Sequence, residues 1–405
     1  MRAYERFLNY IKVNTQSDDT SKTFPSTKCQ FDLAKILEKE MKELGLEDVE
    51  VDENGYVYGR LPATKGYENT TSLGFLAHMD TSPEASGENV KAILHSNYDG
   101  EDVELGTSGK KLTKELFPHL PQLKGRTLIT TDGTTLLGAD DKAGIAEIMA
   151  GCERMIQENI PHGELFILFT PDEEVGHGMD KVNLDKFRPQ FAYTLDGGPE
   201  GEIEYECFNA ATAYVMIKGL SVHTGTAKDT MVNAGLVACE FNQKLTQIEL
   251  PAKTEGYEGF YHLCEIQGEV TKAKLEYIIR DHDKTLFEEK KKRMYQLAEE
   301  LNKIYGKDTI IIQMKDSYYN MAEKIKPHMH LIENAKLATE QAGVIPKIQP
   351  IRGGTDGARL SFMGIPCPNI GTGGYSFHGE YEHITVEGMD YAVEVMLNII
   401  KLYTK

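Results

Sequence analysis

The chain has 405 residues, 40% hydrophobic and 26% charged, and its 63 acidic side chains outnumber 44 basic ones for a net charge of -19. A surface this negative repels phosphate backbones and anionic lipid, so neither nucleic acid nor a membrane is an expected partner, and no run approaches the roughly 20 apolar residues of a membrane span. The charged, amphipathic start MRAYERFLNYIKVNTQS lacks a secretory core, and the scattered cysteines form no C-x-x-C pair, so a cytoplasmic protein with reduced thiols is expected. In chain order, Phe7, Leu8, Ile11 and Val13 mark an opening helix, and FDLAKILEKEMKELG predicts a second over about 28–45, closed by glycine. VEVDENGYVYGRLPA predicts a hairpin around Asn54-Gly55, SLGFLAHMD a short buried strand, and residues 84–135 a strand-and-loop insertion. After LLGADD come the helix KAGIAEIMAGCERMIQEN and the strands ELFILFTPDEE and QFAYTLDGG. Strands alternating with helices indicate an α/β unit whose sites lie at the carboxyl ends of its strands.

From about residue 208 the pattern becomes β-α-β-β-α-β, a four-stranded sheet with two helices. Near 318 the first texture returns, with the helix HMHLIENAKLATEQAG, the loop RGGTDG, the strand CPNIGTG and a last helix from Val386 to Tyr403. A chain of this length exceeds one hydrophobic core. The expected architecture is an α/β, mixed-sheet catalytic domain of residues 1–207 and 318–405, interrupted by an inserted α+β, ferredoxin-like lid or dimerisation domain of residues 208–317. The EEKKKR run at 288–293 reads as a solvated helix face.

His78 and Asp80 stand two apart where a strand ends, so they share a face, and an aspartate beside an imidazole fixes its tautomer and raises its basicity. Asp140 with Asp141, Glu173 with Glu174, and Asp196 fall at analogous places after apolar strands, and His378 lies in a glycine-rich loop. Singly, each has a plain reading as a helix cap, a solvated turn or a structural histidine. Together, carboxylates and histidines converging on one sheet edge would repel one another without cations, which points to a metal cluster.

The series GFLAHMDTSP, LLGADDKAG, FTPDEEVGHG, YTLDGGP, RGGTDG and FHGEYEH resembles the co-catalytic zinc aminoacylase/carboxypeptidase-type peptidase family along essentially the whole chain, and most closely its tripeptide aminopeptidases. The resemblance implies a zinc exopeptidase-like catalytic domain in which His78 and Asp196 hold one metal, Glu174 and His378 the other, and Asp140 bridges them. It makes Asp80 the residue that orients His78 and Glu173 the general base, and it implies a cis peptide at Asp140-Asp141. Two divalent ions would be balanced by three ligand carboxylates and one hydroxide, and adjacent glutamates in extended backbone point opposite ways, one to metal and one to water.

In the inserted domain, His223 matches the family histidine that stabilises the oxyanion, supplied in dimeric relatives by the partner subunit. Asn233 either contacts substrate or caps the next helix. Arg280 and Arg352 are candidates to clamp the peptide's terminal carboxylate, Arg352 the stronger because Gly353 and Gly354 follow it. His177, His282 and His383 are expected to be structural or solvent-facing, with His177 close enough to the glutamate pair to support it. The expected function is removal of the N-terminal residue from tripeptides, with two zinc ions per subunit, cobalt or manganese as substitutes, a small peptide as substrate, and a homodimer. A dipeptidase, a carboxypeptidase and an N-acyl amino acid deacylase are alternatives on the same site; a non-catalytic metal-binding scaffold is the alternative of another class.

Overall fold

Local turn chemistry fixes the first strand pair. Strands β1 (Glu47–Val51) and β2 (Val57–Leu61) run antiparallel with Val51 opposite Val57. The Asp52 carboxylate accepts the amides of Asn54 and Tyr56 at 2.9 and 3.0 Å, and Gly55 takes the left-handed conformation the turn requires at φ 88°. Helices α1 (Ala3–Tyr10) and α2 (Gln30–Leu44) precede it; α2 ends where Gly45, at φ 87°, turns the chain out of the helix.

The computed structural model describes residues 1–404 and divides into two units. The first comprises Met1–Tyr205, Glu323–Gln349 and the residues from Thr355 onward. Its centre is a mixed sheet. Strands β3 (Leu73–His78), β4 (Leu165–Thr170) and β5 (Phe191–Leu195) are parallel neighbours with β3 in the middle, and β2 pairs antiparallel with β4. Beyond β5 follow Asn369–Ile370, β6 (Glu202–Glu204) and Lys347–Ile348. All residues of β3, β4 and β5 are buried, as expected for strands covered on both faces. Helix α3 (Ala139–Glu158) packs on β3 and β5, and the last helix, Val386–Tyr403, packs on α3. A small second sheet joins Ile93–His95 and Leu128–Thr130 from the 84–135 insertion to the hairpin Gly374–Tyr375 and His383–Thr385.

The second unit comprises Glu206–Ala322 and Pro350–Gly354. Strands β7 (Asn209–Lys218), β8 (Phe260–Gly268), β9 (Lys272–Asp281) and β10 (Ile310–Tyr318) form an antiparallel sheet in the order β8-β9-β7-β10, with helices α4 (Ala234–Leu245) and α5 (Lys284–Tyr305). This is the α+β, ferredoxin-like order. Ala213, Val215, Phe241, Leu275, Tyr277 and Leu297 meet in its core. The unit runs from Glu206 to Ala322, past both ends of the expected 208–317, and two other sequence expectations also differ from the result. The segment Pro350–Gly354 joins this unit instead of the first, because Ile351 donates its amide to Glu206 O at 2.8 Å and Gly353 O accepts the amide of Phe208 at 3.4 Å. Within EEKKKR, Lys290 is buried, its Nζ 3.2 Å from Asp281.

Candidate metal centre

Because β3, β4 and β5 are parallel and adjacent, their carboxyl ends deliver side chains to one place. His78 closes β3 opposite Thr170, the last residue of β4, so Glu173 and Glu174 follow three and four residues later. Asp196 follows the last residue of β5. Asp140 and Asp141 enter at the start of α3, where their backbone departs from helical geometry and the peptide between them is cis, as the resemblance implied. His378 comes from the loop between Gly374–Tyr375 and His383–Thr385, with φ at 63°.

The distances connect these residues into one cluster. His78 Nε2 lies 2.9 Å from Asp140 Oδ1 and 3.7 Å from Asp196 Oδ1. The other Asp140 oxygen lies 3.3 Å from His378 Nε2, which is 2.9 Å from Glu174 Oε2. Asp140 thus presents one oxygen to each histidine, the arrangement a bridging carboxylate needs. His78 Nδ1 faces the Asp80 backbone carbonyl at 3.0 Å and its carboxylate at 3.3 Å. The same Asp80 carboxylate accepts the Glu173 amide at 3.0 Å and the Glu174 amide at 3.2 Å, so it orders the glutamate turn as well as the imidazole. Asp172, at φ 55°, anchors that turn from the other side by accepting the Ser26 amide at 2.6 Å and Gln30 Nε2 at 2.7 Å.

Burial dominates the electrostatics. It pushes Glu173 well above the usual carboxylate range and, reinforced by Asp140, raises Glu174 to about 7. It also raises Asp196, with the neighbouring Asp140 carboxylate adding to the effect. Burial opposes ionisation of Asp140 too, yet hydrogen bonds with His378 and His78 hold it below its ordinary value. Hydrogen bonds to Asp140 and Glu174 lift His378 to about 11. Protons on imidazoles are here compensating crowded carboxylates, and cations would do the same. Glu174 Oε1 is buried without a hydrogen-bond partner among the described residues, an unmet demand that a metal ion would satisfy. Two overlapping donor groups lie within coordinating reach, His78 with Asp141 and Asp196, and His78 with Asp140 and Glu174. Asp141 is the poorer ligand of the two aspartates, since its oxygens already accept the amides of His78 at 3.0 Å and Gly144 at 3.2 Å. These nitrogen and oxygen donors are of the kind that divalent ions take.

The sequence profile of peptidase family M20/M25/M40 matches residues 131–402. Over its whole length the chain is 54% identical to Peptidase T of Clostridium perfringens (strain 13 / Type A), covering 99% of that protein. It is 52% identical to Peptidase T of Halothermothrix orenii over 99% of both chains. The chain belongs to peptidase family M20/M25/M40. The fold agrees with solved M20-like structures. Aminopeptidase PepT from Bacillus cereus superposes with a TM-score of 0.79 at 24% identity, covering 100% of this chain and 98% of that one. A tripeptidase from Staphylococcus aureus gives the same TM-score of 0.79 at 22% identity, covering 99% and 98%. The YXEP protein of Bacillus subtilis, described as a dinuclear metal-binding peptidase of the M20 family, gives 0.66 at 14%, covering 99% and 98%.

The candidate oxyanion donor and substrate contacts lie in the second unit. His223 is exposed, and its Nδ1 accepts the Gly225 amide at 3.1 Å. Asn233 caps α4, accepting the amides of Gly235 and Leu236 at 3.0 and 3.3 Å. Arg280 donates to the carbonyls of Ile279 and Ala211 at 3.0 and 3.3 Å and lies over the Tyr318 ring. Arg352 donates to the carbonyls of Gly256 and Glu258 at 2.7 and 3.0 Å and stacks on Phe208. In the first unit, His177 makes a surface pair with Asp180, and His383 is buried against His119. Sequence reasoning passed over Asp356. It stands inside the RGGTDG motif, buried, with Oδ2 accepting the Thr170 hydroxyl at 2.7 Å, and burial raises it to about 7. Its signal was there: a Thr-Asp pair opening a helix, with Thr355 as the cap.

Proposed function

We propose that this M20 peptidase is a metal-dependent tripeptide aminopeptidase, removing the N-terminal residue with Glu173 as general base. The observation that carries the reading is Asp140 shared between His78 and His378, with Glu173 and Glu174 fixed side by side on one Asp80 carboxylate. His78 and Asp196 would hold one divalent ion, Glu174 and His378 the other, and Asp140 both. When bound, such a pair supplies Lewis-acid polarisation and makes water acidic near neutral pH. Glu173 would accept a proton from the attacking water and return it to the leaving amine, a role its place beside Glu174 on the Asp80 carboxylate suits. Asp80 keeps His78 in the tautomer that leaves Nε2 free to bind. The family likeness extends the proposal to His223 as oxyanion donor, with Asn233 of the same motif as a substrate contact, and the guanidinium forks of Arg352 and Arg280 suit the terminal carboxylate.

The finer parts belong to the same proposal. Zinc suits the mixed imidazole and carboxylate donors. Exposed Cys239 and Cys264 thiols suit a reducing cytoplasm. A homodimer would cover the open edge of β8, where Ile266 is 48% exposed. Tripeptide preference is supported by the chain-long likeness to proteins named Peptidase T. One experiment tests the whole: metal-loaded wild type, Glu173→Gln and His223→Ala are given matched di-, tri- and tetrapeptides, with products identified by mass. Wild type is expected to release the N-terminal residue, fastest from the tripeptide. Both variants are expected to lose about 10²-fold or more in turnover while keeping both metals. Equal cleavage of all lengths defeats the tripeptide claim, C-terminal release points to a carboxypeptidase, and absent turnover in wild type favours the scaffold.

A further inference from the structure

Glu382 sits inside the FHGEYEH motif and has no part in the chemistry above. Its carboxylate is buried at 1% exposure and is the acceptor for three backbone amides of another loop. Oε2 accepts the amides of Leu137 and Gly138 at 2.6 and 2.8 Å, and Oε1 accepts the amide of Asp140 at 3.0 Å. These donors converge because Gly138 is left-handed at φ 81° and the chain then enters α3, whose first amides have no partner within the helix. The loop receiving this clamp carries Asp140, and the loop supplying it carries His378, four residues before Glu382. Glu382 is itself anchored: its amide donates to Gly379 O at 3.1 Å, and it directly precedes the strand His383–Thr385, which pairs with Leu128–Thr130.

We infer that Glu382 is a positioning residue for metal binding: one carboxylate staples the Asp140 loop to the His378 loop, so that the shared ligand and a ligand of the second ion are held in mutual register. The inference rests on the two-ion reading. The geometry explains why a carboxylate is needed. Three converging N–H groups require two acceptor oxygens without a donor among them, and a glutamine would turn an amide N–H₂ toward one of them. Alanine would leave all three amides buried and unpaired.

The test uses the full-length protein, stripped of metal and titrated with zinc by calorimetry, as wild type, Glu382→Gln, Glu382→Asp and Glu382→Ala. Amide exchange of a peptide spanning 135–141 is read by mass spectrometry in parallel. Glu382→Gln is expected to weaken binding of at least one ion about 10- to 100-fold and to speed exchange in that peptide while distant peptides keep wild-type rates. Glu382→Asp, which keeps the charge on a shorter arm, is expected to recover part of the affinity. A role in general stability alone would lower the melting temperature of the metal-free variants and leave zinc affinity of the folded protein unchanged; that result overturns the inference. So does wild-type exchange over 135–141 in Glu382→Gln. Should Glu382→Ala fail to fold, Glu382→Gln decides. Wild type that takes up no zinc would instead defeat the two-ion reading itself, so the two failures are distinct.

Discussion

Asp80 shows how much one side chain settles when both of its oxygens are engaged. Two oxygens receive two consecutive amides, and the same group faces Nδ1 of His78; orientation of the imidazole and of the Glu173-Glu174 turn is therefore one physical event. Glu147 is the opposite case. It lies on α3 with 0% exposure, and neither carboxylate oxygen has a hydrogen-bond partner among the described residues. Burial, and to a lesser degree the charge of Asp390, raises its pKa well above the ordinary 4.5. The native state therefore keeps a proton that the unfolded chain releases as pH rises past about 4.5, so this group's contribution to stability falls with increasing pH until the native carboxyl also titrates. Replacing it with an unbranched apolar side chain removes that dependence. Glu147→Met is expected to be more stable than wild type by about 1–3 kcal/mol near neutrality, with a gap that widens by up to about 1.4 kcal/mol per pH unit above pH 5. Urea denaturation of both proteins from pH 5 to 8 measures it, and a gap that is constant or shrinks across that range contradicts the burial of an unpaired acid.

At the scale of elements, the seating of α3 on the sheet governs where Asp140 and Asp196 meet. Gly144 makes the close approach: a β-carbon there would stand 2.1 Å from the Leu195 carbonyl oxygen and 2.6 Å from Asp141 Oδ1. Helix propensity alone favours Gly144→Ala by about 1 kcal/mol. The contact must win, because a carbonyl at the end of a central strand has nowhere to go. Gly144→Ala is expected to cost about 1–3 kcal/mol of stability and to weaken metal uptake, since α3 must lift from the residue next to Asp196; calorimetric melting with zinc titration checks both, and a stabilised variant refutes it. That helix was legible in the sequence from its apolar periodicity, and the strands before it from their short apolar runs. The non-helical entry at Asp140 and Asp141 was not, because periodicity carries no sign of a cis peptide; it came from family resemblance. Nor did local pattern place Pro350–Gly354 in the second unit, since that depends on backbone pairing with Glu206 and Phe208, more than 140 residues earlier in the chain. Lys290 looked solvated because the charge pattern of its own helix does not show its buried partner, Asp281, on the strand before it.

For the whole molecule, legibility followed topology. Ligand candidates in the first unit were readable because each ends a short apolar strand or opens the helix after one, and parallel neighbours bring such ends together. In the second unit the backbone satisfies the polar groups of Asn233, Arg280 and Arg352, so motif position there says less about chemistry. All five proposed ligands belong to the first unit, and this makes metal removal a spatially resolved test. With the ions gone, Asp140, Asp196 and Glu174 keep their crowding and lose their counter-charge, whereas the core of α4, α5 and the β7 to β10 sheet contains none of these groups. Bound metal stabilises by mass action, about 2.7 kcal/mol per site at a free concentration 100 times the dissociation constant. Chelation is therefore expected to lower the melting temperature, to make it rise again with added zinc, and to speed amide exchange around 78–81, 137–142, 172–175 and 195–198 while α4 and α5 keep their rates. Exchange that changes equally in both units, or nowhere, would mean the carboxylates at these strand ends are not held together by metal.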